Sequence, residues 1–128
     1  MDLWEAQYKL WSGFGIPAYE ENSVPNKKDG VTEAENVEFP YITYQAMSGS
    51  HNEDVYPSAS IWTRKTSWEQ ADQLSDAIMD ALSKSGERIY FDGGVLWITP
   101  NAPFSQSMGD PSDFLIKRKL LSVTLHFL

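Results

Sequence analysis

The chain contains no cysteine, and this absence excludes disulfide bonds, thiolate metal sites and cysteine nucleophiles. No run of about 18 apolar residues occurs that could span a membrane. The first residues, Met1-Asp2-Leu3-Trp4-Glu5, lack the basic and then apolar pattern of a signal peptide. We therefore expect a soluble protein that is not secreted by the general route and that can fold in a reducing cytoplasm.

Basic residues are also scarce, with 10 Lys and Arg against 18 Asp and Glu, which gives a net charge of −8. This balance disfavours binding to duplex nucleic acid, because neutralising phosphates requires a surplus of Lys and Arg. The acids are concentrated early in the chain, where residues 1–38 hold eight acids and three bases. The one dense basic group is Lys117-Arg118-Lys119.

What the chain does contain is enough apolar surface for one core, with 41% apolar and 13% aromatic residues in 128. We expect a single domain over residues 1–128. Its first part, residues 1–14, is predicted to be a helix that packs through Trp4, Tyr8 and Trp11, which share one helix face. Residues 20–38 are predicted to be a long acidic loop, and residues 39–128 a core of sheet and helix.

The strongest local pattern is a helix that begins at Ser67 and ends near Gly86. Ser67 and Gln70 have the spacing of a capping box, and glycine is the usual residue in the left-handed position after a helix. The apolar positions that follow helical spacing are Trp68, Ala71, Leu74, Ile78 and Leu82. We expect this helix to cover one face of a sheet.

Strand patterns lie on both sides of this helix. Residues 41–47 and 58–65 are predicted to be strands of one hairpin, and residues 88–91 and 95–98 to flank the tight turn Asp92-Gly93-Gly94. A loop is predicted over residues 99–112 and a half-buried strand over 115–128. The fold class is therefore α+β, an antiparallel sheet of four to five strands with one long helix on one face and a short N-terminal helix. The other face of this sheet would be left open to a partner.

The sequence gives little support for a catalytic, metal-binding or phosphate-binding site. His51-Asn52-Glu53-Asp54 does not match a known metal-ligand spacing and is predicted to be a polar loop. His51 and His126 lack a nucleophile motif, and Gly93-Gly94 lacks the remainder of a phosphate-binding loop. We expect no enzyme activity, no catalytic residue, no cofactor and no metal.

Several residues are instead candidates for an interface between subunits. Asp72, Asp76 and Asp80 recur every four residues and form an acidic ridge. This ridge is a solvated face, a surface that meets the Lys117-Arg118-Lys119 group of a neighbour, or a surface that faces a lumen. Large aromatics on the strands, with an adjacent arginine, are typical of interface hot spots and also of core packing. The predicted interface residues are Trp62, Arg64, Asp72, Asp76, Asp80, Trp97, Lys117, Arg118 and Lys119.

About two thirds of the chain, from Phe39 onward, resembles the tail-terminator, or tail-completion, proteins of long-tailed bacteriophages. Those are small α+β proteins that form a ring at the head-proximal end of the tail tube. The resemblance lies in the segments Phe39-Pro40-Tyr41-Ile42-Thr43-Tyr44, Ile61-Trp62-Thr63-Arg64, Ser67-Trp68, Gly94-Val95-Leu96-Trp97-Ile98, Pro111-Ser112-Asp113 and the last strand.

The resemblance implies a homo-oligomeric ring, commonly six-fold, that stops growth of the tail tube and joins tail to head. The implied partners are other copies of the chain, the tail tube protein and head-tail connector proteins, with DNA only as passing cargo and no membrane. The implied location is the virion, after assembly in the host cytoplasm. The alternatives are a head-completion or connector protein, and a small adaptor or inhibitor that binds a host protein through an exposed sheet face.

Overall fold

Two helices and seven strands make up the part of the chain that the structure, a computed structural model, describes, namely residues 1–24, 38–83 and 86–128. The predicted loop over residues 20–38 lies mostly outside these ranges. The helices are α1 (Leu3–Ser12) and α2 (Glu69–Ser83), and the strands are β1 (Ala18–Glu20), β2 (Tyr41–Tyr44), β3 (Asp54–Val55), β4 (Ser58–Arg64), β5 (Glu87–Phe91), β6 (Gly94–Gly109) and β7 (Ile116–Phe127).

The first helix is capped by Asp2, whose carboxylate accepts a hydrogen bond from the Glu5 amide at 2.9 Å. The prediction that Trp4, Tyr8 and Trp11 form its buried face is wrong, because Trp11 is 2% exposed whereas Trp4 and Tyr8 are 53% and 52% exposed. The buried side is centred on smaller residues, and Trp11 lies at its border. Its members are Ala6, Gln7, Leu10 and Trp11.

Gln7 explains how a polar residue can lie in that buried face. Its side-chain amide donates to the Met47 carbonyl at 2.9 Å and accepts from the Met47 amide at 2.9 Å. These two bonds satisfy backbone groups just beyond the end of β2, as a neighbouring strand would. The helix is thereby fixed against the segment that follows β2.

The sheet is mixed and has more strands than predicted. Its order is β1-β2-β4-β7-β6-β5, and β3 also pairs with β7. β1 runs parallel to β2, whereas the other pairs are antiparallel. The prediction of an entirely antiparallel sheet of four to five strands is therefore wrong in its detail, since the short strands β1 and β3 carry too little pattern to be recognised.

The prediction of a loop over residues 99–112 is wrong as well, because β6 continues to Gly109. It pairs with β7 on both sides of an irregularity between Pro100 and Ser105. Proline and glycine in this stretch resemble loop chemistry, yet a strand accommodates them at a bulge. The hairpin turn at Asp92-Gly93 is confirmed.

The second helix packs on one face of the sheet against β4, β6 and β7. Its buried residues Ala71, Ile78 and Leu82 are among those predicted, and Gly86 adopts the predicted left-handed conformation with φ of +75°. The Ser67 hydroxyl accepts from the Glu69 amide at 3.4 Å, one residue before the predicted Gln70. Within the described ranges, neither helix is long and apolar enough to cross a membrane.

The core lies between this helix-bearing face, which we call the inner face, and the two helices. Strand residues of the core include Ile42, Ile61, Leu96, Ile98, Leu121 and Leu125. Because α1 contacts β1 at one edge of the sheet and β5 at the other, the sheet must curl around the core. The opposite face, the outer face, carries no helix of the described residues.

Candidate interaction surface

Strand alternation selects the side chains of the outer face. In β2, Ile42 and Tyr44 are buried on the inner face, so Tyr41 and Thr43 point outward. The register pairs Tyr41 with Trp62 on β4, Trp62 with Arg118 on β7, and Arg118 with Met108 on β6. One row of large side chains therefore crosses four strands of the sheet.

The aromatic part of this row is held by ring stacking and a hydrogen bond. The Tyr41 and Trp62 rings stack with centroids 6.2 Å apart and planes 15° apart. Phe39 and Tyr19 extend the cluster, with ring centroids 5.3 Å and 6.2 Å from that of Tyr41. The Trp62 indole donates to the Thr43 hydroxyl at 2.8 Å. The rings are therefore fixed in place while only partly buried.

Arg118 adds a positive charge to the row. Its guanidinium lies 4.8 Å from the centroid of the Trp62 ring, and its Nε donates to the Ser60 hydroxyl at 2.9 Å. A guanidinium over an indole face is a cation–π pair. Burial raises the pKa of the Tyr41 hydroxyl, and the nearby Tyr19 adds to this rise. Tyr41 thus stays neutral, and Trp62 lies between it and Arg118 in the row.

Arg64 lies at the end of the same face and ties β4 to the segment before β7. Its Nε donates to the Asp113 carboxylate at 2.9 Å. This hydrogen bond, with a further one from the Leu115 amide, lowers the pKa of Asp113. The predicted interface residue Arg64 therefore has a carboxylate partner within its own chain.

Trp97 belongs to a second cluster on the outer face, toward β5. The Arg88 guanidinium lies 5.2 Å from the Trp97 ring centroid, and the His126 ring lies 4.6 Å from it. His126 Nδ1 is 2.9 Å from the Asp54 carboxylate, and its Nε2 is 2.8 Å from the Thr99 hydroxyl. Four strands contribute to this cluster, namely β3, β5, β6 and β7.

The Asp54, His126 and Thr99 contacts have the connectivity of a catalytic triad, and the sequence analysis did not foresee them. Such a site also needs donors for a developing oxyanion, commonly including the amide of the residue after the nucleophile. Residue 100 is a proline and has no amide hydrogen. The arrangement is better explained as a cross-strand tie that attaches β3 to β6 and β7.

The predicted basic group Lys117-Arg118-Lys119 does not form one patch, because successive residues of β7 point to opposite faces. Lys117 is buried, its Nζ donates to the Phe114 carbonyl at 2.5 Å, and it lies over the Trp68 and Phe114 rings. Lys119 lies on the inner side with Lys117. Arg118 alone reaches the outer face.

The predicted acidic ridge lies on the exposed side of α2, where Asp72, Asp76 and Asp80 are all exposed. Lys119 Nζ is 2.7 Å from the Asp72 carboxylate of the same chain. One of the pairs proposed between subunits is thus made within the subunit. Asp76 and Asp80 remain, together with Glu69, as exposed acids of this side.

Sequence reasoning missed several surface aromatics. Phe39, Tyr19 and Tyr41 join the outer cluster, and the period-two alternation around Tyr41 was the signal that could have identified it. Trp4 and Tyr8 form an exposed pair on α1 instead of a buried one. No pattern in the sequence indicates the Asp54–His126 contact, which joins residues 72 positions apart.

Among the described residues, no group of three or more His, Asp or Glu side chains is arranged to hold a metal ion. The described residues instead form two contrasting surfaces. Arginine and aromatic side chains lie on the outer face of the sheet, and the carboxylates of α2 lie on the opposite side. The function of the protein has to be inferred from these residues, since no protein-family model, curated protein or solved structure matches the chain.

Proposed function

We propose that this protein is a structural virion subunit that forms a ring at the head-proximal end of a bacteriophage tail tube, where it ends tube growth and joins tail to head. The observation that supports self-assembly is the difference in charge between two sides of one subunit. The exposed side of α2 presents Asp76 and Asp80, and the outer face presents Arg118 beside Trp62. The site of assembly is taken from the sequence resemblance.

Opposite sides with complementary charge favour head-to-tail association. An interface between two different patches repeats from subunit to subunit, and it produces a ring when the rotation closes. Complementary charge sets the orientation of such contacts and disfavours wrong pairings. In the proposed ring, commonly six-fold in the resembling proteins, the α2 side of one subunit contacts the outer face of the next.

The outer face also has the composition and rigidity of an interface centre. Trp, Tyr and Arg are the residue types enriched at hot spots, and this face carries all three in one row. The hydrogen bond from Trp62 to Thr43 and the stacking on Tyr41 already hold the rings in the free subunit. Little side-chain entropy would be lost when a partner covers them.

A charge-swap experiment tests the ring. Asp76→Lys with Asp80→Lys reverses the α2 side and leaves Asp72 with its Lys119 partner, and Arg118→Glu reverses the outer face. Each variant alone should fail to form rings, because like charges then meet and cost several kcal/mol. An equimolar mixture should recover rings, since every interface then pairs opposite charges in alternating order. Light scattering and electron microscopy provide the measurement.

The matched control for the α2 variant is Glu5→Lys with Glu21→Lys, which changes the net charge by the same amount at two exposed positions, one on α1 and one just after β1. The control should assemble like the unmodified protein. Rings that persist in both charge-reversed variants, with their helix content unchanged, would rule out the proposed interface.

Binding partners distinguish the tail role from its alternatives. The proposed function predicts that rings bind polymerised tail tube and stop its elongation in a sedimentation assay. Binding to portal or connector rings without binding to tube would instead identify a head-completion protein. A protein that stays monomeric at all concentrations and binds neither would fit the adaptor or inhibitor alternative.

A further inference from the structure

A groove of about 600 Å³ runs beside β5, at one edge of the sheet. Its apolar lining comes from three elements, with Leu10 and Phe14 at the end of α1, Leu82 at the end of α2, and Ile89 in β5. The volume is within the range of pockets that take small ligands and short peptides. The groove lies apart from the outer-face row and from the exposed carboxylates of α2.

The edge of β5 offers this groove free hydrogen-bonding positions. In an antiparallel sheet, both backbone groups of a residue point to the same side, and the side alternates along the strand. Val95 exchanges two hydrogen bonds with Leu128, at 3.2 Å and 2.9 Å, so its groups point away from β5. Tyr90 pairs with Val95, so the Tyr90 amide and carbonyl point away from β6, and those of Arg88 do the same.

The next position along this edge shows that it accepts a partner. The Asp92 amide, two residues beyond Tyr90, donates to the Met1 carbonyl at 2.8 Å. A backbone carbonyl thus already occupies one position of the edge. In the described part of the chain, β5 is the last strand of the sheet order, and no strand pairs with it on the groove side.

The charges around the groove restrict what can bind there. Among the described residues that line the groove, Lys9 and Arg88 are exposed basic residues and Glu87 is the one acid. The surplus of positive charge is local, in a protein whose net charge is −8. It complements an acidic partner and not a basic one.

We propose that the groove binds an extended peptide segment of a partner protein, which pairs with β5 as an additional strand. Alternate side chains of the segment are apolar and enter the groove on the inner side with Ile89, and those between them are acidic and lie on the outer side with Arg88. Such strand addition draws affinity from backbone hydrogen bonds and specificity from alternate side chains. This inference does not depend on the proposed ring, whose interface uses other residues.

The probe is an acetylated and amidated hexapeptide of alternating Val and Asp, titrated into the isotope-labelled protein and followed by amide chemical shifts. The Arg88 and Tyr90 amides should shift, and the residues of the outer-face row should not. A peptide of alternating Val and Lys should bind at least tenfold more weakly, because its charges repel the rim. Equal binding of the two peptides would overturn the assignment.

Tyr90→Pro provides the sharpest variant, because it removes one outward amide and leaves the β5–β6 hydrogen bonds in place. It should weaken binding of the Val-Asp peptide about tenfold, the loss expected for one backbone hydrogen bond. Tyr90→Ala keeps the amide and serves as the control, so it should bind more tightly than the proline variant. Thermal melting first establishes that both variants are folded.

Two results would contradict the proposal. One is unchanged affinity of a folded Tyr90→Pro variant. The other is a shift of the Arg88 and Tyr90 amides on concentrating the protein alone, which would show that a second copy fills the groove. Rings that persist in both charge-reversed variants would overturn the ring interface and would leave peptide binding at β5 intact, so the two proposals fail independently.

Discussion

Gly86 lies between α2 and β5 in a left-handed conformation, with φ of +75°. A Cβ atom placed on it would be 2.5 Å from the Ile98 carbonyl oxygen and 2.5 Å from Trp97 Nε1. We therefore expect Gly86→Ala to lower the free energy of unfolding by at least about 2 kcal/mol, from backbone strain and steric overlap together. Urea denaturation followed by circular dichroism measures this change in the free energy of unfolding.

Gly109 is the matched control for this substitution. A Cβ atom at Gly109 meets nothing within 4 Å. Gly109→Ala should therefore stay within about 0.5 kcal/mol of the unmodified protein. Equal effects of the two substitutions would show that the close contacts at Gly86 are not made in solution.

Asp113 gives the protein a pH-dependent contribution to stability. In the folded protein, its hydrogen bond with Arg64 lowers the pKa of the Asp113 carboxyl below the value of about 3.9 that it has in the unfolded chain. The contribution is therefore fully present above the unfolded pKa and is lost as the pH falls through the folded pKa. We expect Asp113→Asn to be less stable than the unmodified protein at pH 6, and the difference to shrink below about pH 4.

The measurement is a series of denaturation curves recorded at buffer pH values between about 2 and 7. Asp76→Asn removes an exposed acid on α2 and should show no comparable loss of difference at low pH. A difference for Asp113→Asn that grew as the pH fell would contradict the assigned ion pair.

At the scale of elements, α1 depends on one of its two tryptophans. Trp11 is 2% exposed and packs against Tyr44, with ring centroids 6.3 Å apart, whereas Trp4 is 53% exposed. We expect Trp11→Ala to lower the free energy of unfolding by about 3–5 kcal/mol, the usual cost of a large core truncation. Trp4→Ala should change it by about 0.5 kcal/mol or less.

Tryptophan fluorescence of the two variants during urea unfolding checks this difference. The pair also separates the two descriptions of α1, because the predicted face of Trp4, Tyr8 and Trp11 would make both substitutions costly. A large loss of stability for Trp4→Ala would show that Trp4 is buried in solution, as the sequence pattern predicted.

Elements with a local signal were predictable, and elements that depend on distant partners were not. The capping serine, the spacing from Ala71 to Leu82 and the closing glycine define α2 without reference to the rest of the chain. β1 has three residues and β3 has two, so neither holds enough alternation to be recognised. β6 contains Pro100 and Pro103 near its middle, and its second half is a strand because β7 pairs with it.

At the scale of the whole molecule, the same contrast applies to the candidate surface. The alternation that makes β7 a strand already implies that Arg118 and its two lysine neighbours point to opposite faces. The pairing of Lys119 with Asp72, and the meeting of Asp54, Thr99 and His126, depend on which strands become neighbours. Sheet order and curl determine these contacts, and no single segment encodes them.

The position of β7 in the sheet affects how the chain can fold during synthesis. β7 pairs with β4 on one side and with β6 on the other, so it joins β1-β2-β4 to β6-β5. The other six strands of the described residues leave the ribosome before β7 does. Until β7 emerges, two partial sheets expose unpaired edges on the nascent chain, and strand edges of this kind are prone to aggregate. These edges therefore stay unpaired on the nascent chain until β7 has been made.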